Sequence, residues 1–123
     1  MSDQIGAPTW SRMIAEATAQ ILVQFYGRTI PHPPLLTDIS GIYHMTAGGQ
    51  TSWFGFAKAI LNHAPRSAAN IPRLVLITTE EYPTPAKRPR NSIMSNTKLN
   101  HRFGVKMPGW EIGLRLCTEE GNR

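Results

Sequence analysis

The stretch Tyr82-Pro83-Thr84-Pro85-Ala86-Lys87-Arg88-Pro89-Arg90-Asn91-Ser92 places three prolines within seven residues. Proline fixes its own backbone and biases the preceding residue toward extended conformations, which largely stops this segment from joining a helix. Onto the stiffened track fall Lys87, Arg88 and Arg90, followed by Asn91 and Ser92 with further hydrogen-bonding groups. A guanidinium held on such a track suits a phosphate or diphosphate, because its planar fork pairs two oxygens at once. The same run also reads as a solvated basic loop or a nuclear-localisation-like segment, and local sequence leaves both open.

The surrounding composition narrows the choice. With 123 residues, 41% hydrophobic and 17% charged, the chain has the length and make-up of one globular domain rather than a disordered segment. A net charge of +5, from 13 Lys and Arg against 8 Asp and Glu, favours an anionic ligand. The basic residues are scattered except at 87–90, with no basic helix interleaved with aromatics, so sequence-specific nucleic-acid binding is not expected. The one cysteine, Cys117, excludes an internal disulfide and a cysteine-rich zinc site, and its apolar setting predicts a small core residue. The sequence carries no apolar run long enough for a signal peptide or membrane span, and a cytoplasmic protein without membrane contact is expected.

Periodicity predicts about four helices and two or three short strands, a mixed α/β arrangement. Met13, Ile14, Ala17, Ile21, Leu22 and Phe25 share one face of a helix over about 10–25, with Thr9 as its cap and Gly27 and Pro31 as its stop. Pro31, Pro33 and Pro34 mark a connection, and His32 among them reads as solvent-exposed rather than a metal ligand. Gly41–Thr46 reads as a short strand ended by Gly48-Gly49, with His44 a packed, hydrogen-bonded histidine. A second helix over about 52–64, capped by Thr51 or Ser52, is dense in aromatics; plain core is favoured there over a stacking platform for bases. A loop follows over Pro65–Pro72. The continuous apolar run Leu74–Thr78 reads as the best strand. Ser95 or Asn96 opens a helix over about 96–103 with Leu99 and Phe103 as its apolar stripe and Gly104 as its end. From Pro108, Trp110, Leu114 and Cys117 fit a helix while Trp110, Ile112, Leu114 and Leu116 fit alternation; helix-former content favours the helix.

Catalytic patterns are missing. The sequence contains no H-E-x-x-H, no nucleophile elbow and no tyrosine with a lysine four positions on. No glycine fingerprint follows a strand in the way a dinucleotide requires. The residues by themselves give an anion site without catalytic machinery.

Several collinear segments resemble one family. Asp3-Gln4-Ile5-Gly6-Ala7-Pro8-Thr9, Gly41-Ile42-Tyr43-His44, Gly49-Gln50-Thr51-Ser52-Trp53-Phe54-Gly55-Phe56-Ala57, the track Tyr82–Ser92 and Pro108-Gly109-Trp110-Glu111-Ile112-Gly113-Leu114 are similar to the C-terminal part of dTDP-4-dehydrorhamnose reductases. These belong to the extended short-chain dehydrogenase/reductases, and the resemblance covers nearly the whole chain. It implies that residues 1–123 form a single substrate-binding lobe beginning within the second half of such an enzyme. The half that binds NADPH and carries the Tyr-x-x-x-Lys pair would lie upstream, so no cofactor is expected for this chain alone.

Position by position, the resemblance implies that Gln4, Gly6, Ala7 and Thr9 sit beside a bound dTDP-sugar, with Arg88 and Lys87 toward its diphosphate. The turn at Gly6-Ala7-Pro8, at the start of the first helix, would offer backbone N–H groups to the anion. Some relatives form metal-bridged dimers through carboxylates of this half. Trp10, Ser11 and Arg12 supply none here, so no metal is expected. The expected function is the substrate-binding portion of an enzyme that reduces dTDP-4-dehydro-L-rhamnose to dTDP-L-rhamnose with NADPH, for cell-surface polysaccharide. The expected partners are the sugar nucleotide, a Rossmann half, or a second copy of the chain. The alternative is a non-catalytic nucleotide-sugar-binding or regulatory protein built on the same lobe.

Overall fold

The computed structural model describes residues 1–26, 35–63 and 72–120. The proline-rich connection with His32, the helix stop at Gly27 and Pro31, and residues 65–71 of the expected loop lie outside the described residues. In chain order the elements are β1 (Ile5–Gly6), α1 (Ser11–Tyr26), α2 (Leu36–Ile39), β2 (Thr51–Ser52), α3 (Trp53–His63), α4 (Thr97–Phe103) and α5 (Trp110–Glu120). The mixed α/β reading holds, and the four expected helices are all present, joined by the one-turn α2.

The core is small and lies where α1 and α4 meet the segment 43–47 and the chain entering α5. Ala17, Leu99 and Val105 are buried together, with Ile21, Tyr43, Met45, Phe103 and Met107 packed around them. Leu99, 1% exposed, is the inward residue of the stripe foreseen on α4. The stripe that α1 buries is narrower than its apolar face: Met13 and Ala17 are buried, whereas Ile14 and Leu22 are exposed. Phe25 meets Phe103 edge-on at 6.2 Å, and Gln24 Nε2 donates to the Phe103 carbonyl at 2.8 Å. These contacts tie the end of α1 to the end of α4. Gly104 closes α4 in the left-handed region (φ 68°), its N–H donating to the Asn100 carbonyl, a conformation that favours glycine.

Side chains acting as caps explain several differences from the expected boundaries. Ser52 Oγ accepts the Gly55 N–H at 3.0 Å and so caps α3, as foreseen. Ser95 Oγ accepts the Thr97 N–H at 3.2 Å at the head of α4. Thr9 does not cap α1: its hydroxyl donates to the Ala7 carbonyl and accepts the Ala47 N–H, both at 2.9 Å. The last helix begins at Trp110, two residues beyond Pro108. Its entry is pinned to residue 48 by Gly48 N–H to Pro108 O (2.8 Å) and Trp110 N–H to Gly48 O (3.0 Å).

The strands differ most. The one ladder is the antiparallel pair β1–β2, with Ile5 opposite Ser52 and Gly6 opposite Thr51; neither expected strand is in it. Residues 42–46 join no ladder, and side chains take backbone groups at both ends of the segment. Asn96 accepts the Thr46 N–H (3.0 Å) and donates to the Thr46 carbonyl (2.7 Å), and Lys98 Nζ donates to the Ile42 carbonyl at 2.9 Å. His44 in this segment is exposed rather than packed. Leu74, Val75 and Leu76 adopt no regular element and are 36%, 61% and 58% exposed. A run apolar on both faces needs cover on both, and no described strand pairs with it.

Cys117 is exposed as well. The buried positions of α5, Trp110 and Gly113, fall in its first turn. There a side chain at residue 113 would come within 3.0 Å of Met13 Cε, and the burial does not extend to residue 117.

Candidate functional site

The site is assembled on the N-terminal nine residues. Ile5 is held from two sides: its side of β1 pairs with Ser52 of β2, and its backbone forms a parallel bridge with Asn91. The Ile5 N–H donates to the Arg90 carbonyl at 2.8 Å, and the Ile5 carbonyl accepts the Ser92 N–H at 2.9 Å. Ser92 Oγ adds a bond to the same carbonyl at 3.2 Å. The basic track is therefore anchored to β1 at its far end. Gly6 permits this approach, since a Cβ there would meet Ser92 Oγ at 2.7 Å.

Further anchors run to the segment before the track. Ser2 N–H donates to the Ile77 carbonyl at 2.9 Å. Asp3 Oδ1 accepts both the N–H (3.0 Å) and the hydroxyl (2.9 Å) of Thr79, and Gln4 Nε2 donates to that hydroxyl oxygen at 3.2 Å. Partial desolvation raises the Asp3 pKa, but the hydroxyl and N–H of Thr79 outweigh it and hold the carboxyl below its ordinary value. The Thr78 N–H, then its hydroxyl, lower that of Glu81 in the same turn.

Between these elements opens a cleft of about 160 Å³. One wall is Gln4 to Pro8, the second is Thr51, Ser52, Trp53 and Phe56, and the rim is closed by Pro89 and Ser92 of the track. Of the residues expected beside a ligand, Gln4, Gly6 and Ala7 line this cleft. Thr9 stands behind it, positioning Ala7 through its hydroxyl. Lys87 and Arg88 are exposed on the track next to the rim residue Pro89. Arg90 is paired with Glu80 at 2.9 Å; among the described residues Lys87 and Arg88 carry no such partner.

The electrostatics differ from a helix-terminus site. The turn at Gly6–Pro8 precedes α1 by several residues, since that helix starts at Ser11. At the head of α3, the N–H groups of Trp53, Phe54 and Gly55 are taken by Gln4 O, Met1 O and Ser52 Oγ. Positive charge for an anion must then come from side chains of the track.

The second wall was missed from sequence. Aromatic density at 53–56 read as core, yet no residue of α3 is buried, and Trp53 is 59% exposed at the cleft. The available signal was the step from Thr51-Ser52, a capping pair, directly into Trp53. β1 ends in Gly6 and leads into Ala7-Pro8-Thr9, so this turn has one glycine and a proline that lacks a donor, not the glycine-rich turn that seats a dinucleotide pyrophosphate. Among the described residues no group of three or more His, Cys, Asp or Glu is placed to hold a metal, and no helix is long and apolar enough to cross a membrane.

Comparison with known proteins gives consistent results. The family model described as RmlD substrate binding domain matches residues 1–122. The dTDP-4-dehydrorhamnose reductase of Burkholderia thailandensis is 43% identical over 98% of this chain, which covers 40% of that relative. Among solved structures, dTDP-4-dehydrorhamnose reductase from Bacillus anthracis in complex with NADP superposes with a TM-score of 0.73 and 32% identity, over 97% of this chain and 36% of that one. The Clostridium acetobutylicum orthologue gives a TM-score of 0.77 at 25% identity, over 100% of this chain and 38% of that one. The chain spans about two fifths of the length of the curated relatives it matches.

Proposed function

The chain belongs to the RmlD substrate binding domain family, and from that premise we propose that residues 1–123 are one lobe that holds the dTDP-sugar of a dTDP-4-dehydrorhamnose reductase. The observation that carries this reading is the double clamp on Ile5, which sets Pro89 and Ser92 of the basic track against the Gln4–Ala7 wall. Arg88 and Lys87 then supply charge to the diphosphate at the rim, Gln4, Gly6 and Ala7 shape the wall, and Thr9 holds Ala7 in place. Arg90 serves the track rather than the ligand, since Glu80 occupies it.

In the whole reductase NADPH would reduce the 4-keto sugar, with the cofactor held by residues outside this chain. The lobe alone is expected to bind and not to reduce. The exposed run Leu74–Leu76 would be covered by a nucleotide-binding half or a second copy. The compartment would be the cytoplasm.

The test is calorimetric titration of dTDP into the chain and its arginine variants. Arg88→Ala should weaken binding about tenfold, the worth of a charge-assisted bidentate contact, and Arg88→Lys should recover only part. Arg90→Ala should do much less. Equal, small losses for both arginines at low and high salt would reduce the track to a solvated basic loop.

A further inference from the structure

We propose that Trp53, braced by Phe56, is a stacking seat for the nucleobase of the bound nucleotide; this rests on the nucleotide-sugar reading of the cleft and assigns it a base subsite. Trp53 combines two properties that a packing residue does not: it lines the cleft and leaves 59% of its surface exposed. Its backbone is fixed, because its N–H donates to the carbonyl of the buried Gln4 at 3.3 Å. Its ring meets Phe56 edge-on at 6.4 Å and 67°, and Phe56 meets the buried Trp110 at 5.9 Å and 75°.

The indole is thereby backed by a chain of rings reaching into the protein, while an edge-on contact covers at most one of its faces. A rigid, solvent-facing indole loses a large apolar area to any flat ring that stacks on it, with little conformational entropy spent. The cleft, at about 160 Å³, is smaller than the roughly 300–1,000 Å³ that encloses a whole small-molecule ligand. It suits one moiety, and its aromatic wall selects a planar one. Lys87 and Arg88, without an ion-pair partner among the described residues, directly precede the rim residue Pro89, so a base on Trp53 leaves the diphosphate to run toward Arg88. Nucleobase stacking on an aromatic side chain tolerates different bases, since each has a π-face. The seat therefore gives affinity for nucleotides as a class, and the polar edge of Thr51 and Ser52 is left to discriminate among bases.

Three probes separate this subsite from the diphosphate site: thymidine, inorganic pyrophosphate and dTDP, each titrated into the 123-residue chain and its variants by tryptophan fluorescence and NMR. Trp53→Ala should weaken thymidine and dTDP about tenfold, Trp53→Phe should recover part of the loss, and pyrophosphate should bind as before. Trp53 is exposed, so far-UV circular dichroism and the thermal midpoint should be nearly unchanged in Trp53→Ala and will verify the fold. Arg88→Ala should weaken pyrophosphate and dTDP but leave thymidine unaffected. Unaltered thymidine and dTDP binding by Trp53→Ala, with Arg88→Ala still impaired, overturns the base subsite and leaves the diphosphate reading standing. Loss with Trp53→Ala and none with Arg88→Ala supports the subsite and overturns the diphosphate reading. Absence of dTDP and thymidine binding by the unaltered chain overturns both.

Discussion

Gly6→Ala probes the clamp on which the cleft depends. The added Cβ would stand 2.7 Å from Ser92 Oγ, well inside the 3.4 Å at which ordinary contact begins. Ser92 can yield by swinging its hydroxyl away, which gives up the 3.2 Å bond to the Ile5 carbonyl, about 1 kcal/mol net. If its backbone moves as well, the 2.9 Å Ser92 N–H bond to the same carbonyl weakens by about as much again. Against this, alanine lowers the freedom of the unfolded chain relative to glycine by about 0.4–1 kcal/mol. The balance is a net loss of about 1 kcal/mol, which for a chain of this size corresponds to a Tm lower by about 3–6 °C. Thermal unfolding by circular dichroism reads the stability, and dTDP titration reads the cleft. The decisive control is Ser92→Ala, which removes the obstructing oxygen. In that background Gly6→Ala should be neutral or slightly stabilising. An equal cost in both backgrounds, or none in the original protein, would refute the clamp as the reason residue 6 is glycine.

Further outcomes follow from other parts of the structure. Asp3 is held below its ordinary pKa of 3.8 by Thr79 against a desolvation that raises it; its tether is therefore fully present above about pH 4 and lost as pH falls through the lowered folded value. Acid unfolding followed by fluorescence should shift to higher pH in Asp3→Asn and Thr79→Val, and the difference from the original protein should shrink at the lowest pH. Leu99→Ala, at the most buried side chain of the core, should cost about 2–5 kcal/mol in denaturant unfolding. Gly104→Ala, at φ 68°, should cost about 1 kcal/mol by the same measurement, without changing dTDP affinity.

Helices were legible because their determinants are local. The stripe Leu99 and Phe103, the cap at Ser52 and the left-handed Gly104 all lie within a few residues of the element that they shape. Strands were not legible, because a strand is made by its partner. The ladder that exists is two residues wide and joins Ile5 and Gly6 to Ser52 and Thr51, pairs more than forty residues apart with nothing in their own pattern to mark them. The segment read as a strand at 41–46 meets side chains in place of another strand, Lys98 at Ile42 and Asn96 at Thr46.

The apolar surplus of this chain has a single physical reading. A helix dense in aromatics is ordinarily buried, and a five-residue run such as Leu74–Thr78 is ordinarily covered on both faces. Here α3 buries none of its residues, and Val75 and Leu76 are more than half exposed. Both segments carry the composition of an interior and leave part of that apolar surface open, although α3 still meets α5 where Phe56 packs on Trp110. The two exposures differ in their surroundings, however. Trp53 opens onto a cleft whose other wall is the buried Gln4 and whose rim is the basic track, a setting with polar and charged groups for a small ligand. Leu74–Leu76 instead runs straight into the Thr78–Glu81 turn, and the Ile77 carbonyl accepts the Ser2 N–H. The long-range bonds of Ser2, Asp3 and Ile5 to residues 77, 79 and 90–92 set the two apart, by placing the basic track beside the cleft that Trp53 faces.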